Sequence, residues 1–305
     1  MDKVNQLKIK EGMKVSELIE QFDNSGVLGS GRVARASNIL CNMIKDEEMN
    51  VFMSLGGPLI PGGMRNIVTN MVREGHVDLI ISSGANITHD MLEAFGGNHY
   101  RDEGRDDEDL NAEGIGRIAD INVGSDDFEI FESEIIKIFE DISSQKPKIS
   151  IQELLYEVGL RIEDENSFLA TAARMKTPIF APGLIDSMFG LQLWMFSQDH
   201  DFTVDAVADM HYLSDIVFNS KKIGGVLLGG GLTKHYTLAS TLLIGGLDSA
   251  IQITLDRPEA GSLSGAPLQE AKSWSKAKCE STLETVIGDV TVIFPLIYAD
   301  VLDKL

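Results

Sequence analysis

Three times along this chain an apolar run ends in small residues that open a helix. Residues 52–55 run into the turn-rich GGPLIPGG (56–63), and residues 77–81 into SSGAN (82–86). Residues 223–228 then run into Gly229, Gly230 and Gly231, with Lys234 and His235 opening the next helix. A strand, a tight turn and a helix start in that order are the unit of a doubly wound sheet, whose ligands sit at the strands' carboxyl ends. The repetition predicts an α/β, Rossmann-like fold with a mainly parallel sheet and helices on both faces.

Apolar residues at helical spacing predict helices over 15–22, 32–45, 64–73, 131–142, 151–158, 168–175 and 204–219, and short strands over 178–180 and 250–254. Thr88 is the expected cap of the helix after SSGAN, with Asp90 in its first turn. The acidic stretch 100–112 reads as a solvated loop. The break SSQKP (143–147) is too weak to divide the chain. The expectation is one domain over residues 1–305 with an N-terminal helical extension of about 30 residues.

The formal charge of −21, from 47 acidic and 26 basic residues, runs against nucleic-acid binding. An acidic surface attracts cations, including polyamines and basic proteins, or simply confers solubility. Two cysteines, Cys41 and Cys279, make no disulfide framework and suit a reducing compartment. The opening Met1-Asp2-Lys3 segment is polar, with no signal-peptide core. The apolar run 290–299 contains a proline and is too short to span a bilayer. A cytoplasmic location with no membrane contact is expected.

The chemistry concentrates in GSLSGAPLQEAKSWSK (261–276), a small-residue loop closing with Glu270, Trp274 and Lys276 within seven residues. A lysine is ordinarily a solvated surface residue. In a dry pocket beside an indole its amine would lose charge and attack carbonyl or imine carbon. Trp274 offers a ring face to a cation. His235 follows the triple glycine, and Asp186 follows a predicted strand end; each reads equally as a surface or capping residue. Asp289 lies in an apolar run, where a buried carboxylate needs a partner. The six histidines form no HExxH or Cys/His cluster, so no metal site is expected.

These residues fall in blocks that resemble deoxyhypusine synthase, in particular its archaeal branch, from about residue 10 to about residue 300. The blocks are GGMR (62–65), VDLIISSGANITHD (77–90), GIGRI (114–118), LGGGLTKH (228–235), LSGAPLQEAKSWSK (263–276) and IFPL (293–296). The resemblance implies a transferase that uses NAD to oxidise spermidine and carries the aminobutyl group as an imine on Lys276. The acceptor would be one lysine of the translation initiation factor 5A precursor. It implies His235 as the proton relay, Glu270 as anchor of an ammonium, and Trp274 as a wall of the polyamine channel, with His89 also on the substrate side. It places NAD at Ser83, Gly84, Ala85, Asp186, Gly230, Gly231 and Asp289.

It also implies a homotetramer with sites at subunit interfaces, and it makes the helix near residues 15–22 a candidate counterpart of a segment that plugs a neighbouring site. Several positions depart from the eukaryotic pattern. Leu191 and Leu263 stand where aspartates would anchor spermidine, Thr88-His89 replaces a glutamate pair, and Gly57-Pro58 replaces a polar pair. Asp256 and Glu259 are the nearby acids that could compensate. Two alternatives remain: aminobutyl transfer to a small amine, as in a homospermidine synthase, and an NAD- or polyamine-binding protein without turnover.

Overall fold

The computed structural model describes residues 3–305, so Met1 and Asp2 of the polar opening segment lie outside the described residues. Two compact units share the chain. The first comprises the residues up to Gly56, His76–Ile81 and Leu213–Leu305; the second comprises Gly57–Gly75 and Ser82–Tyr212.

Five strands of the first unit form a sheet in the order Ala277–Ile287, Leu247–Thr254, Lys222–Leu228, Met49–Leu55, Leu79–Ser82. The three pairings among the first four strands are parallel. The Lys222–Leu228 strand is buried along residues 223–228, the continuous apolar run expected of a parallel strand covered on both sides. Its cover can be read from the pleat. A Cβ on Gly224 would lie 2.7 Å from Sδ of Met43, on the Leu28–Lys45 helix. Ser54 is in register with Leu227, three residues further, and its Oγ donates to Thr233 of the Gly231–Ser240 helix at 3.0 Å. Positions 224 and 227 face opposite ways, so these two helices cover opposite faces. The expected α/β class with helices on both faces is what forms. Helices Val15–Ser25 and Val290–Lys304 pack on Leu28–Lys45.

The second unit is mostly helical: Arg65–Arg73, Gly84–Ala94, Ser125–Gln145, Ile151–Leu160, Phe168–Met175 and Met188–Asp199. Phe139 packs edge-on against Phe189 and also touches Phe196 and Phe202. A buried polar knot ties three of the helices. Arg65 Nε donates to Asp90 at 2.7 Å, and Asp90 also accepts from Ser167 Oγ at 2.6 Å and from the N–H groups of Phe168 and Leu169.

Three expectations need correction here. The helix after SSGAN begins at Gly84 and is capped by Ser83, whose hydroxyl accepts from Asn86 N. Thr88 and Asp90 are therefore interior: Thr88 Oγ1 donates back to Gly84 O, and Asp90 caps the distant helix Phe168–Met175. The stretch 100–112 is ordered as a strand, Tyr100–Arg101, and a helix, Asp107–Ala112, beside the hairpin Ile115–Ile118 and Ile121–Gly124. The stretch is solvated as expected, exposed throughout apart from Asp102 and the buried Leu110, and Asp107 pairs with Arg117. The predicted helix 204–219 begins at Ala208, because Thr203–Asp205 pairs as a strand with Lys148–Ser150.

Candidate active site

The Gly231–Ser240 helix leaves the carboxyl end of its strand and runs back along the sheet. Its inner turns carry Lys234, His235 and Leu238 into one wall of a cavity of about 390 Å³. The loop carrying Leu263, Ala266 and Pro267 forms a second wall, and the short helix Glu270–Ser273 with its exit turn supplies Glu270, Trp274 and Lys276.

Lys276 is set by backbone geometry. The short helix ends at Trp274, and Ser275 takes a left-handed conformation with φ of 55°. That reversal lets Lys276 N donate to Ala271 O at 2.9 Å, while Lys276 O accepts from Leu247 N at 3.1 Å. The chain passes so close here that a Cβ on Gly246 would lie 2.4 Å from Ala277 N, which only glycine permits. Lys276 thus sits at the amino end of the edge strand Ala277–Ile287. The rule that ligands gather at carboxyl ends locates Gly229–Gly231 but not Lys276. The helix running backward from the triple glycine brings His235 to it.

Lys276 Nζ lies 3.3 Å from His235 Nε2 and 5.7 Å from the centroid of the Trp274 ring. Desolvation by the wall, then the Lys276 charge, hold the His235 imidazole below its ordinary value, so it is neutral at pH 7 and able to accept a proton. Glu270 is the one carboxylate among the residues lining the cavity. The expected dry pocket is not met within this chain. Trp274 is 68% exposed and Lys276 is half-buried, so the indole that lines the cavity is also open to solvent. Leu263 does line the cavity, whereas Asp256 and Glu259, the acids considered as replacements, do not.

One lining residue was not singled out from the sequence. Lys234 is 1% exposed, and its Nζ donates to Leu263 O at 2.8 Å and Ala266 O at 2.6 Å. Burial lowers its pKa to about 8, with Glu270 acting weakly in the opposite sense. The sole hint was a lysine beside His235 after three glycines; carbonyls waiting for it 29 and 32 residues away leave no mark in the sequence.

The residues expected to hold a dinucleotide are distributed over both units. In the first unit, Gly230 caps the Gly231–Ser240 helix, and a Cβ there would lie 2.5 Å from Cβ of Ser264. Asp289 is exposed rather than buried: it caps the Val290–Lys304 helix and accepts from Thr291 N at 2.7 Å. In the second unit, Ser83, Gly84 and Ala85 form the amino end of Gly84–Ala94. A Cβ on Gly84 would lie 2.7 Å from Ser187 Oγ, so this turn abuts the one carrying the exposed Asp186. Taken separately, each of these helix amino ends follows a buried strand and is built on glycine, the local geometry in which backbone N–H groups receive an anion. His89 is largely buried in a chain of its own. Its Nδ1 lies 2.8 Å from His99 Nε2, and His99 Nδ1 lies 2.7 Å from Glu93 Oε1.

A sequence model of the family described as deoxyhypusine synthase matches residues 17–301. A Methanothermobacter thermautotrophicus protein named "Probable deoxyhypusine synthase" is 59% identical over 302 residues, covering 99% of this chain and 98% of the relative. One of the same name from Methanopyrus kandleri is 42% identical, covering 96% and 95%. A solved structure from Entamoeba histolytica that carries the same enzyme's name superposes with a TM-score of 0.68 at 20% identity, over 95% of this chain and 93% of that one; at that identity the likeness speaks to fold alone. Among the described residues no helix is long and apolar enough to cross a membrane.

Proposed function

Because this chain belongs to the deoxyhypusine synthase family, a family of transferases, we propose that it moves the aminobutyl group of spermidine through Lys276 to one lysine of the translation initiation factor 5A precursor. The observation that carries the proposal is the contact between Lys276 and a neutral His235 inside a cavity that also holds Glu270 and an indole.

His235 accepts the proton that the donor amine loses on oxidation, and the Lys276 amine attacks the imine carbon of the oxidised donor. A carbon–nitrogen bond to Lys276 forms, the bond to the original amine breaks, and the departing amine takes the proton. The acceptor lysine then displaces Lys276 by the same exchange. Glu270 anchors an ammonium of the donor, and Trp274 lays a ring face along its chain. When bound, NAD supplies the two-electron oxidation of the donor and, kept in reduced form, the closing reduction. Ser83, Gly84, Ala85, Asp186, Gly230, Gly231 and Asp289 are the residues proposed to hold it, with His89 on the substrate side. On this reading residues 1–305 work as one functional domain, and the protein acts as a homotetramer in the cytoplasm. The acidic surface suits both a polycationic donor and a basic acceptor protein.

A second reading has a specific observation behind it. Leu263 presents an apolar side chain to the cavity where the family resemblance calls for a spermidine-anchoring aspartate, which loosens the hold on that donor and leaves room for reaction with another amine. Incubating the protein with NAD, spermidine labelled in its aminobutyl portion, putrescine and the precursor factor separates the readings. Label on the factor supports protein modification. Label only in homospermidine, putrescine carrying the transferred group, supports the small-amine reaction, and no transfer at all contradicts both.

A further inference from the structure

The Leu263–Ala266 wall is held from beneath by two buried side chains. Lys234 Nζ donates to the carbonyls of Leu263 and Ala266, and Gln252 Nε2 donates to that of Ser264 at 2.8 Å. Three of four successive carbonyls are thereby committed. The loop cannot retreat, since a Cβ on Gly265 would lie 2.1 Å from Arg257 O. An ammonium has three donors and a neutral amine two. Two carbonyls take both N–H groups of the neutral form, and among the described residues no carboxylate bonds to Lys234.

The charged groups around Lys234 are few. His235 lies on its own helix, and Glu270 and Lys276 face it across the cavity. The Met49–Leu55 strand and the Thr241–Ile244 turn against that helix contribute no charge. Lys222, on the other neighbouring strand, Lys222–Leu228, is bonded to Asp46 at 2.8 Å.

We infer that Lys234 is a positioning residue that fixes the Leu263–Ala266 wall in either protonation state and gives up its proton when a polycation enters the cavity. The inference rests on the polyamine reading of this site. A cation in the cavity repels a buried ammonium that has no ion pair, and releasing the proton costs none of the wall's hydrogen bonds. The pKa of about 8 already reached through burial leaves Lys234 mostly charged at pH 7 and easily discharged by a further cation.

The test is calorimetric titration of the full chain loaded with NADH, which cannot oxidise the donor, by spermidine at pH 7, in buffers of different ionisation enthalpy. Release of about one proton per site is expected. Lys234→Met should abolish the release and raise KM for spermidine more than it lowers kcat, whereas Lys234→Arg, still charged, should bind spermidine weakly without release. Binding with no proton release in the unmodified protein overturns the inference while leaving the polyamine reading intact. Unchanged release in Lys234→Arg overturns it as well. Absence of any spermidine binding removes the polyamine reading and this inference with it.

Discussion

Ser275 is the residue whose backbone does most to aim Lys276. A left-handed conformation costs an L-residue about 1–2 kcal/mol, which glycine avoids at a smaller entropic cost. Ser275→Gly is expected to stabilise the protein by about 0.5–1 kcal/mol in denaturant unfolding while keeping the turn. Glu270 acts through charge. As the cavity's single lining carboxylate, it should set the affinity for a cationic donor. Glu270→Gln is expected to raise KM for spermidine about tenfold or more, with a smaller change in kcat, measured by steady-state kinetics. Lys276, Glu270 and Trp274 were legible in the sequence because seven residues carry all three. Lys234 was not, since its significance lies in carbonyls brought to it by the return of the chain. Asp289 was misjudged because a helix cap within an apolar run looks like a buried acid until the first turn is seen to point it outward.

Among the elements, the helices of the second unit depend on one buried junction. Arg65 has a side chain only 10% exposed and leans on Asp90, with Asp164 and Glu93 as further partners. Removing the fully buried carboxylate strands part of that charge and leaves the first two N–H groups of the Phe168–Met175 helix without their acceptor. Asp90→Ala should lower stability by about 3–5 kcal/mol in a denaturant titration. The strand–turn–helix order was readable because buried parallel strands are uniformly apolar and their turns uniformly small. The 100–124 region was not. Its acidic stretch is solvated as expected, but a count of acids does not distinguish a loop from the helix and hairpin that form here, with Arg105 paired to Glu113 and Arg117 to Asp107.

For the whole molecule, acid sensitivity follows from the buried histidine pair. Burial, and secondarily the neighbouring His99, lower the pKa of His89 from 6.5 to about 4. The unfolded chain therefore takes up a proton between those values that the folded chain refuses. The associated stability is present above pH 6.5 and is lost as pH falls through the folded-state value. It amounts to about 3 kcal/mol by pH 4. Chemical denaturation at a series of pH values should show this slope, and His89→Gln should flatten it. The acidic excess that argued against nucleic acid carries no information about such a pair, because ten residues separate the two rings in sequence and the shift arises from their burial.

The central claim is that Lys276 carries the transferred group, and borohydride trapping during turnover with NAD and spermidine tests it most directly. Peptide mapping should find one reduced adduct, on Lys276, absent from Lys276→Arg. An adduct that persists in that variant, or that maps to another lysine, would contradict the account.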